Sequence, residues 1–281
     1  MAAPALAEAA RRLGVSVHQE CAVRGVETRA GRVSEVITEA GRIETEAVLC
    51  AAGAWASLLC RRHGIDFPQA GVRSTVFATT PGIEVTPGGL VTPDLTITRL
   101  LDGGYILAAQ DQGRLDVTPQ GLRYARQFWP LFRERRKSLK LGISRTFFDG
   151  PEAPVRKWPF DSRTIFERHR VFAPPPDTSI VAPALRRLIA AYPALQGLSM
   201  ARIWGGWIDS TPDAVPVISP VEKLSGCFLA AGFSGHGFGI GPAAGRLAAD
   251  LVAGDPPIVD PAPFRYSRLV DGTRLDRPGM M

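Results

Sequence analysis

A glycine-rich corner near the end of the chain constrains the fold more than any other sequence feature. The apolar run CFLAA (227–231) leads into GFSGHGFGIG (232–241), which holds five glycines, and an Ala/Leu-rich helical pattern follows. Glycines between a strand and a helix let the backbone approach a flat or phosphorylated group closely. The N-terminus of such a helix also carries about half a positive charge and free N–H groups.

Part of this corner matches the relaxed dinucleotide fingerprint GxGxxA at Gly239, Gly241 and Ala244. That fingerprint requires a second strand that ends in an acidic residue about 20 positions later. The corresponding stretch, GDPPIVDPAPF (254–264), is too rich in proline to be a core strand. We therefore reject a dinucleotide turn at this position and keep the interpretation that the backbone closely approaches a ligand.

The size and composition of the chain are those of a globular protein with its own core. Its 281 residues are 45% hydrophobic, enough for one large domain or two smaller ones. No apolar stretch approaches the roughly 20 residues of a membrane span, and Arg11 and Arg12 follow the apolar N-terminus, which does not fit a secretory signal. The cysteines show no metal-ligand spacing, so reduced thiols and a cytoplasmic location are expected. They are Cys21, Cys50, Cys60 and Cys227.

The net charge of +6 is concentrated in FRERRKSLK (132–140). A nucleic-acid surface is one interpretation of such a run. Because no aromatic residues alternate with these charges, as stacking on bases would need, a solvated helix face is the better interpretation. We expect no nucleic-acid partner.

Hydrophobic periodicity predicts α/β structure at both ends of the chain and an antiparallel block between them. The predicted helices are 4–13, 54–63, 119–138, a helix at 178–191 capped by Asp177 or Thr178, and a final helix that begins near Pro242. The predicted strands are 15–21, three short strands with turns at Ala30-Gly31 and Ala40-Gly41, 71–80, 90–99, 104–110, 141–149, 199–208, 214–219 and 227–231. The last of the three short strands, EAVLCAAG (46–53), is apolar enough to be buried on both faces.

This pattern predicts a mixed α/β fold of two domains. Residues 1–65 and 220–254 are expected to come together as one domain, and 66–219 to form a second domain around an antiparallel sheet. Residues 255–281 are rich in Pro, Arg and Asp and are expected to form a poorly ordered tail. Asp213 precedes a turn, so a structural Asx-turn role is expected for it.

Three motifs in a fixed order resemble the D-amino acid oxidase-like flavoprotein family. They are VLCAAGAW (48–55), WGGWIDSTPDAVPVIS (204–219) and AAGFSGHGFGIGPAAGRLAADL (230–251). That family includes glycine oxidase, sarcosine oxidase and related amine dehydrogenases, and the resemblance runs from residue 1 to about residue 254. It implies FAD as the cofactor, an FAD-binding Rossmann-like domain that is incomplete here, and an antiparallel-sheet substrate domain. The middle motif is closest to the sarcosine oxidase beta-type pattern, which favours secondary amines or cyclic imino acids.

The resemblance also implies cofactor-binding residues. Val23 matches the segment against the adenine, and Ala52, Gly53 and Trp55 match the turn along the ribose and pyrophosphate. The loop over the flavin ring matches Gly232, Phe233, Ser234, Gly235, His236, Gly237, Phe238 and Gly239. In this interpretation backbone N–H groups and the helix dipole stabilise the negative charge that the ring gains on reduction.

For the substrate, the resemblance points to Arg202, Trp207 and His236. Oxidases of free amino acids hold the substrate carboxylate with an arginine at the position of Ile208, and Arg202 on the same predicted strand is the nearest substitute. The alternatives are a surface ion pair for Arg202, packing for Trp207 and loop packing for His236. No side chain is assigned as catalytic, because hydride passes directly from the α-carbon to the flavin.

Two departures from the family pattern carry expectations of their own. Some oxidases in the family have a lysine at the position of Gly239 that promotes the reaction with oxygen, so we expect a dehydrogenase with another electron acceptor. The chain also has no GxGxxG unit of the kind that begins family members. We therefore expect weak or no FAD binding by this chain alone. The alternative function is a truncated non-catalytic fragment, or a subunit of a split amine dehydrogenase whose partner subunit supplies the nucleotide-binding segment.

Overall fold

The computed structural model describes residues 2–109, 113–154 and 157–275, and these ranges form a mixed α/β fold with three sheets. Within them the α-helices are α1 (Ala2–Arg12), α2 (Ala56–Arg62), α3 (Pro119–Arg123), α4 (Ala125–Arg135), α5 (Ile165–Arg168), α6 (Val181–Ala191) and α7 (Gly237–Ala253). The strands are β1 (Val23–Arg29), β2 (Arg32–Thr38), β3 (Gly41–Glu44), β4 (Val48–Cys50), β5 (Ala70–Thr79), β6 (Gly89–Val91), β7 (Leu95–Arg99), β8 (Tyr105–Ala109), β9 (Gly113–Asp116), β10 (Leu139–Gly142), β11 (Met200–Ser210), β12 (Val217–Pro220) and β13 (Cys227–Ala231). The predicted mixed α/β class is confirmed.

The first sheet is the antiparallel meander β1-β2-β3. Both of its turns fall where the sequence predicts them. The first turn has left-handed residues at Ala30 (φ 50°) and Gly31 (φ 76°), and the second has Gly41 at φ 143°. Glycine is favoured at such positions because it has no Cβ to clash with the backbone.

A second sheet, in the order β12-β13-β4, carries the glycine-rich corner at its end. Strand β13 pairs antiparallel with β12 and parallel with β4. Helix α7 packs on this sheet through Ala244, Leu247 and Ala248, which bury Ile218. The corner at 232–236 is the connection between β13 and that helix, so the sheet and the helix fix both of its ends.

The predicted strand at 46–53 is only partly confirmed. Strand β4 spans three residues, and within the described part of the chain it pairs with β13 alone. Leu49 is 40% exposed, so the strand is not buried on both faces as its composition suggests; the expected absence of a neighbouring segment predicts such an exposed face. A strand is buried on both faces only when elements cover it from both sides, and β4 lacks that cover here.

The third sheet has the order β10-β9-β5-β8-β7-β6, with β11 paired to β5. Strands β5 and β11 are antiparallel, and their register sets Gly71 opposite Asp209. Helix α6 packs against this sheet, where Ala184 and Leu188 join a core with Phe77. The predicted antiparallel block is confirmed apart from β9 and β10, which are parallel.

Several predicted elements differ from the structure. Residues 15–21 form no strand and are mostly exposed. The predicted helix at 119–138 divides at Tyr124 into α3 and α4, and 141–149 holds the end of β10 and a 3₁₀ turn at Arg145–Phe147. The final helix begins at Gly237 and not near Pro242, so Pro242 lies inside the helix as its sixth residue, where it supplies no N–H for the carbonyl four residues before it.

The expectation of a poorly ordered tail is wrong for residues 255–275. Tyr266, Arg268 and Leu269 are buried. The Arg268 guanidinium donates from Nε to Asp213 Oδ2 (2.8 Å), and the Tyr266 amide donates to Ser219 Oγ (2.8 Å). Composition favoured disorder, but these long-range contacts anchor the segment. Residues 276–281 of the predicted tail, and Gln110 at the end of a predicted strand, lie outside the described residues.

Other predictions about side chains agree with the structure. Asp213 forms the expected Asx turn, with the Val215 amide donating to its Oδ1 (3.2 Å). The four cysteines are free thiols, and burial raises the pKa of Cys227 to about 12. Helix α4, which contains part of the basic run, has no buried residue, as a solvated face requires. Among the described helices, none has both the length and the hydropathy needed to cross a membrane.

Candidate active site

The glycine-rich corner is a tight loop whose backbone needs glycine at defined points. Gly232 (φ 78°) and Gly235 (φ 91°) are left-handed, as is Ser234 (φ 52°). A Cβ at Gly232 would also overlap the methyl group of Thr211. Phe233 forms a β-bridge with the end of β11, which anchors the loop to the third sheet. Glycine at position 232 is therefore required by both conformation and space.

A half-buried carboxylate lies beneath this loop. Asp209, near the end of β11, accepts a hydrogen bond at Oδ2 from the Gly232 amide (2.7 Å). Its backbone carbonyl accepts one from the Ser234 amide (2.8 Å). Burial raises the pKa of Asp209, against the opposing effect of the hydrogen bonds that it accepts. One residue of β11 thus holds two amides of the loop.

Gln69 connects the same carboxylate to the turn after β4. Its Nε2 donates to Asp209 Oδ2 (3.2 Å) and to the Gly53 carbonyl (2.8 Å). Its Oε1 accepts from the amide of Ser57 in α2 (3.1 Å). Gln69 is 1% exposed, so these bonds are shielded from water. We call Gln69 and Asp209 the bridging pair, because they join the turn at Gly53 to the loop that begins at Gly232.

In the turn at Ala52, Gly53 and Trp55, the backbone of Gly53 faces outwards and the indole of Trp55 faces inwards. Gly53 is left-handed (φ 52°), and no atom lies within 4 Å of where its Cβ would be. The indole of Trp55 packs edge-on against Phe166 and Phe172, with ring centroids at 5.4 and 5.6 Å. The indole is therefore a packing element, and the backbone at Gly53 is the part of this turn that faces open space.

Strand β11 has two unlike faces beside the loop. On one face, a Cβ at Gly205 would overlap the Pro174 carbonyl. The Trp207 indole on this side covers Gly71 so closely that a Cβ there would overlap it, and its ring centroid is 5.1 Å from that of Phe172. Trp207, predicted to bind substrate, therefore lies on the covered face, where its contacts are packing contacts.

The opposite face of β11, formed by Trp204, Gly206 and Ile208, is the open face. No atom lies within 4 Å of the Cβ position of Gly206. Ile208 approaches the loop, with its Cγ2 at 3.8 Å from the Cβ position of Gly235. The open face and the loop therefore border the same space.

Arg202 lies far along the strand from this space. It is exposed, and its guanidinium carbon is 4.9 Å from the Trp204 ring centroid. Eight residues separate it from Ser210, which pairs with the loop, and at about 3.3 Å per residue this is about 26 Å of strand. The nearer loop contact, Ile208 beside Gly235, is still six positions or about 20 Å of strand from Arg202, so the strand does not place Arg202 next to the loop.

The remaining predicted residues divide between the helix start and a distant sheet. His236, Phe238 and Gly239 are exposed at the beginning of α7, with the Phe238 side chain 90% exposed. Gly237 lies close to Phe233: a Cβ placed on Gly237 would be 3.2 Å from the Cβ of Phe233. Val23 is the first residue of β1 in the meander and is 37% exposed. The helix start is thus open to a ligand.

These observations fit a flat, negatively polarised ligand. The loop leads into a 17-residue helix whose N-terminus is exposed, and positions 53, 206 and 239 are glycines that face open space. FAD is a group of this kind. The residues that would hold it are the turn at Gly53 and the loop from Gly232 to Gly239.

Comparison with known proteins decides the family. The model of the DAO family, described as FAD dependent oxidoreductase, matches residues 1–251. The chain belongs to this family. Members of the family depend on FAD, so the expected cofactor is confirmed at the level of the family.

Individual relatives agree with that assignment. The chain is 25% identical over 250 residues to glycine oxidase of Pseudomonas putida, covering 89% of this chain and 53% of the relative. It is 26% identical over 267 residues to D-amino acid dehydrogenase of Rhizobium johnstonii, covering 94% of this chain and 50% of the relative. The structure of L-amino acid deaminase from Proteus myxofaciens superposes with a TM-score of 0.88 at 28% identity, covering 94% of this chain and 59% of that one. The chain thus spans about half the length of the curated relatives.

Sequence reasoning missed the bridging pair. Gln69 lies just before β5 in a stretch without any motif, so no signal identified it. Asp209 lies inside the WGGWIDSTPD motif, but only the structure reveals that its carboxylate faces the loop amide. The sequence also gives no sign of the open space at Gly206, because the distant segment at Phe172 and Pro174 decides which face of β11 is covered.

Proposed function

We propose that this chain forms the flavin-facing and substrate-facing part of an FAD-dependent oxidoreductase that oxidises the C–N bond of an amino or imino acid. The observation that carries the proposal is the bridging pair. Through Gln69 and Asp209, the turn at Gly53 and the loop at Gly232 are held as one unit beside the open face of β11. Such pre-organisation is what an enzyme needs to orient a cofactor against a substrate.

The residues of this chain have binding and orienting roles in the proposed reaction. Backbone at Gly53 and the loop from Gly232 to Gly239 hold FAD, and the N-terminus of α7 stabilises negative charge next to it. FAD, when bound, supplies the two-electron acceptor that takes hydride from the α-carbon. The substrate nitrogen loses a proton, and water hydrolyses the resulting imine. No side chain of this chain is required as a general base.

The open face of β11 is the proposed substrate side. Ile208 occupies the position where the resemblance expects a carboxylate-binding arginine, and His236 is exposed at the loop as a hydrogen-bonding group. Relatives are named for glycine, for D-amino acids and for an L-amino acid deaminase. Because the WGGWIDSTPD motif is closest to the sarcosine oxidase beta-type pattern, we favour secondary amines such as sarcosine or proline-like imino acids.

The electron acceptor is proposed to be a carrier other than oxygen. Position 239 is a glycine whose surroundings are open, so no cationic side chain stands there to stabilise superoxide. Stopped-flow mixing of the substrate-reduced protein with air-saturated buffer tests this directly. We expect slow reoxidation by air and fast reoxidation by an artificial acceptor dye, whereas rapid reoxidation by air would refute the dehydrogenase assignment.

The open edge of β4 supports a requirement for a further nucleotide-binding segment. Within the described residues β4 is paired along one edge only, and Leu49 beside that edge is 40% exposed. A strand or strand-helix unit placed there would cover both. This segment precedes the chain in a longer protein or belongs to a partner subunit of a split amine dehydrogenase. The alternative, a non-catalytic fragment, is also compatible with an open edge.

One experiment distinguishes the enzyme from the fragment. The chain is produced alone and with its nucleotide-binding segment, in cis from any in-frame upstream sequence or in trans from a neighbouring gene. Both forms are incubated with FAD, sarcosine, proline, glycine and D-alanine, and reduction of an acceptor dye is followed. We expect activity only when the segment is present. Activity from neither form, despite stoichiometric FAD, would refute the proposed function.

A further inference from the structure

A cavity of about 680 Å³ lies away from the glycine loop, between β1, the C-terminal end of α2 and residues 157–160. Positive side chains line it at Arg61, Arg62 and Lys157, and Glu27 is the one acidic residue in the lining. No residue of the loop at 232–239 belongs to the lining, so the cavity is separate from the proposed FAD site. Its volume lies within the range of small-molecule sites.

Two of these cations have no acidic partner among the described residues. Neither Arg62 nor Lys157 forms an ion pair in this part of the chain. Arg61 differs, because its Nη2 donates to the Ala153 carbonyl (3.3 Å) and to Gln120 Oε1 (3.5 Å). It therefore adds charge to the cavity wall, while its hydrogen bonds are directed elsewhere.

Arg62 is held in place by aromatic rings. Its guanidinium carbon is 4.5 Å from the Phe160 ring centroid and 5.9 Å from that of Trp158. The Trp158 indole is itself fixed by donating to the Arg24 carbonyl (2.7 Å). Phe160 lies against Gly25, where any Cβ would overlap its ring. The guanidinium is thus pre-organised before any ligand arrives.

The same guanidinium has an unsatisfied donor. The Nε of Arg62 is buried and has no hydrogen-bond acceptor among the described residues. A buried donor without an acceptor costs about 1–3 kcal/mol, which an oxygen of a bound ligand would relieve. An arginine fork is also the side chain best suited to carboxylate and phosphate oxygens.

His63 adds a neutral donor to the wall. Its Nε2 accepts from the Val26 amide (3.2 Å), which assigns the ring proton to Nδ1. Burial lowers the pKa of His63 to about 4, so the ring stays neutral at pH 7 and keeps that arrangement. Among the charged side chains of the lining, three are cationic and only Glu27 is acidic.

We propose that this cavity is a binding site for a small oxyanion, a phosphate or a carboxylate, held by Arg62 and Lys157 with His63 as a further donor. The site is independent of the proposed oxidation. Both anions share the oxygen geometry that arginine recognises, so the chemistry of the wall fits either. The Glu27 carboxylate repels a bound anion, so its removal should strengthen binding.

Titration of the purified chain tests this proposal. Inorganic phosphate and succinate are added separately, at constant ionic strength set with chloride, and heat and tryptophan fluorescence are recorded; Trp158 lies next to Arg62. We expect saturable binding of one or both anions with a Kd of about 1 mM or tighter. Binding of phosphate alone indicates a phosphate ester as the ligand, and binding of succinate alone indicates a carboxylate.

Variants decide whether the anion binds in this cavity. Arg62→Gln is expected to weaken binding about tenfold or more and Lys157→Gln about threefold, whereas Glu27→Gln is expected to tighten it about twofold. The control is Arg187→Gln, an exposed arginine on α6 near Asp94. Lys157 is exposed, so its variant tests the site even if Arg62→Gln unfolds. No saturable binding up to about 20 mM, or unchanged binding by Lys157→Gln or by folded Arg62→Gln, would overturn the proposal.

Discussion

Replacing Asp209 tests whether the bridging pair holds the glycine loop. In Asp209→Ala, the Gly232 amide and one Nε2 hydrogen of Gln69 lose their shared acceptor. Both donors are buried, because Gly232 is buried and Gln69 is 1% exposed. At about 1–3 kcal/mol for each of the two donors left unpaired, we expect a loss of about 2–6 kcal/mol in the free energy of unfolding.

Two further variants separate lost hydrogen bonds from lost charge. Asp209→Asn keeps a carbonyl oxygen that accepts from both donors, and it removes a carboxylate whose pKa is raised by burial. We expect it to cost less than about 1 kcal/mol. Asp94→Ala, at an exposed aspartate 3.8 Å from Arg187, is the matched control and should change stability by less than about 0.5 kcal/mol.

The assay is urea unfolding at pH 7, combined with hydrogen exchange at single amides. In Asp209→Ala the Gly232 amide should exchange about tenfold faster or more, since its acceptor is gone. The Ser234 amide, which donates to the Asp209 backbone carbonyl, should change less. A loss below about 1 kcal/mol, or equal losses in Asp209→Ala and Asp209→Asn, would refute the reasoning.

Three other predictions follow from the packing. Gly232→Ala should cost about 2–4 kcal/mol, because its left-handed backbone is strained and its Cβ overlaps Thr211, whereas Gly241→Ala, in open space on α7, should be neutral or slightly stabilising in the same urea assay. Burial raises the pKa of Glu152 to about 7 from about 4.5, so the folded state binds its proton more tightly than the unfolded state. The protein should lose about 2–3 kcal/mol as pH rises from 4.5 to 8, and Glu152→Gln should lack that loss; equal profiles would contradict this. Arg268→Ala should cost about 3–5 kcal/mol because it leaves Asp213 buried and unpaired, and a cost below about 1 kcal/mol would show the tail segment to be loosely held.

Local rules predicted the elements whose signals are local. Strand β13 has the predicted bounds because CFLAA lies between two glycines. The turn at Ala30-Gly31 was predictable because a glycine between two strand-like stretches is a local turn signal. The start of α7 was not predictable, because glycines and Pro242 normally mark a boundary, whereas the helix here begins at Gly237 and contains both.

The glycines of the candidate site were predictable from the sequence, but the hydrogen bonds of Gln69 and Asp209 that hold the loop were not. The loop at 232–239 follows from its composition, and family resemblance gave it a role. The contacts of Gln69 with Gly53 and Asp209 join residues 16 and 140 positions apart, which no periodicity reveals. The motif offers both a substrate role and a packing role for Trp207, and only the structure reveals that Phe172 packs on its face of the strand.

The central claim is that the open face of β11 and the glycine loop border one space, and that FAD binds in it. Its most direct test is FAD binding, by flavin fluorescence and absorbance, to the protein with its nucleotide-binding segment present. Gly206→Leu places a side chain on the open face where no atom of the chain lies within 4 Å, and Gly245→Leu does the same on the outer side of α7. We expect Gly206→Leu to remain folded and to bind FAD at least about tenfold more weakly, with Gly245→Leu unchanged. Equal FAD affinity in Gly206→Leu and the unmodified protein would contradict the account.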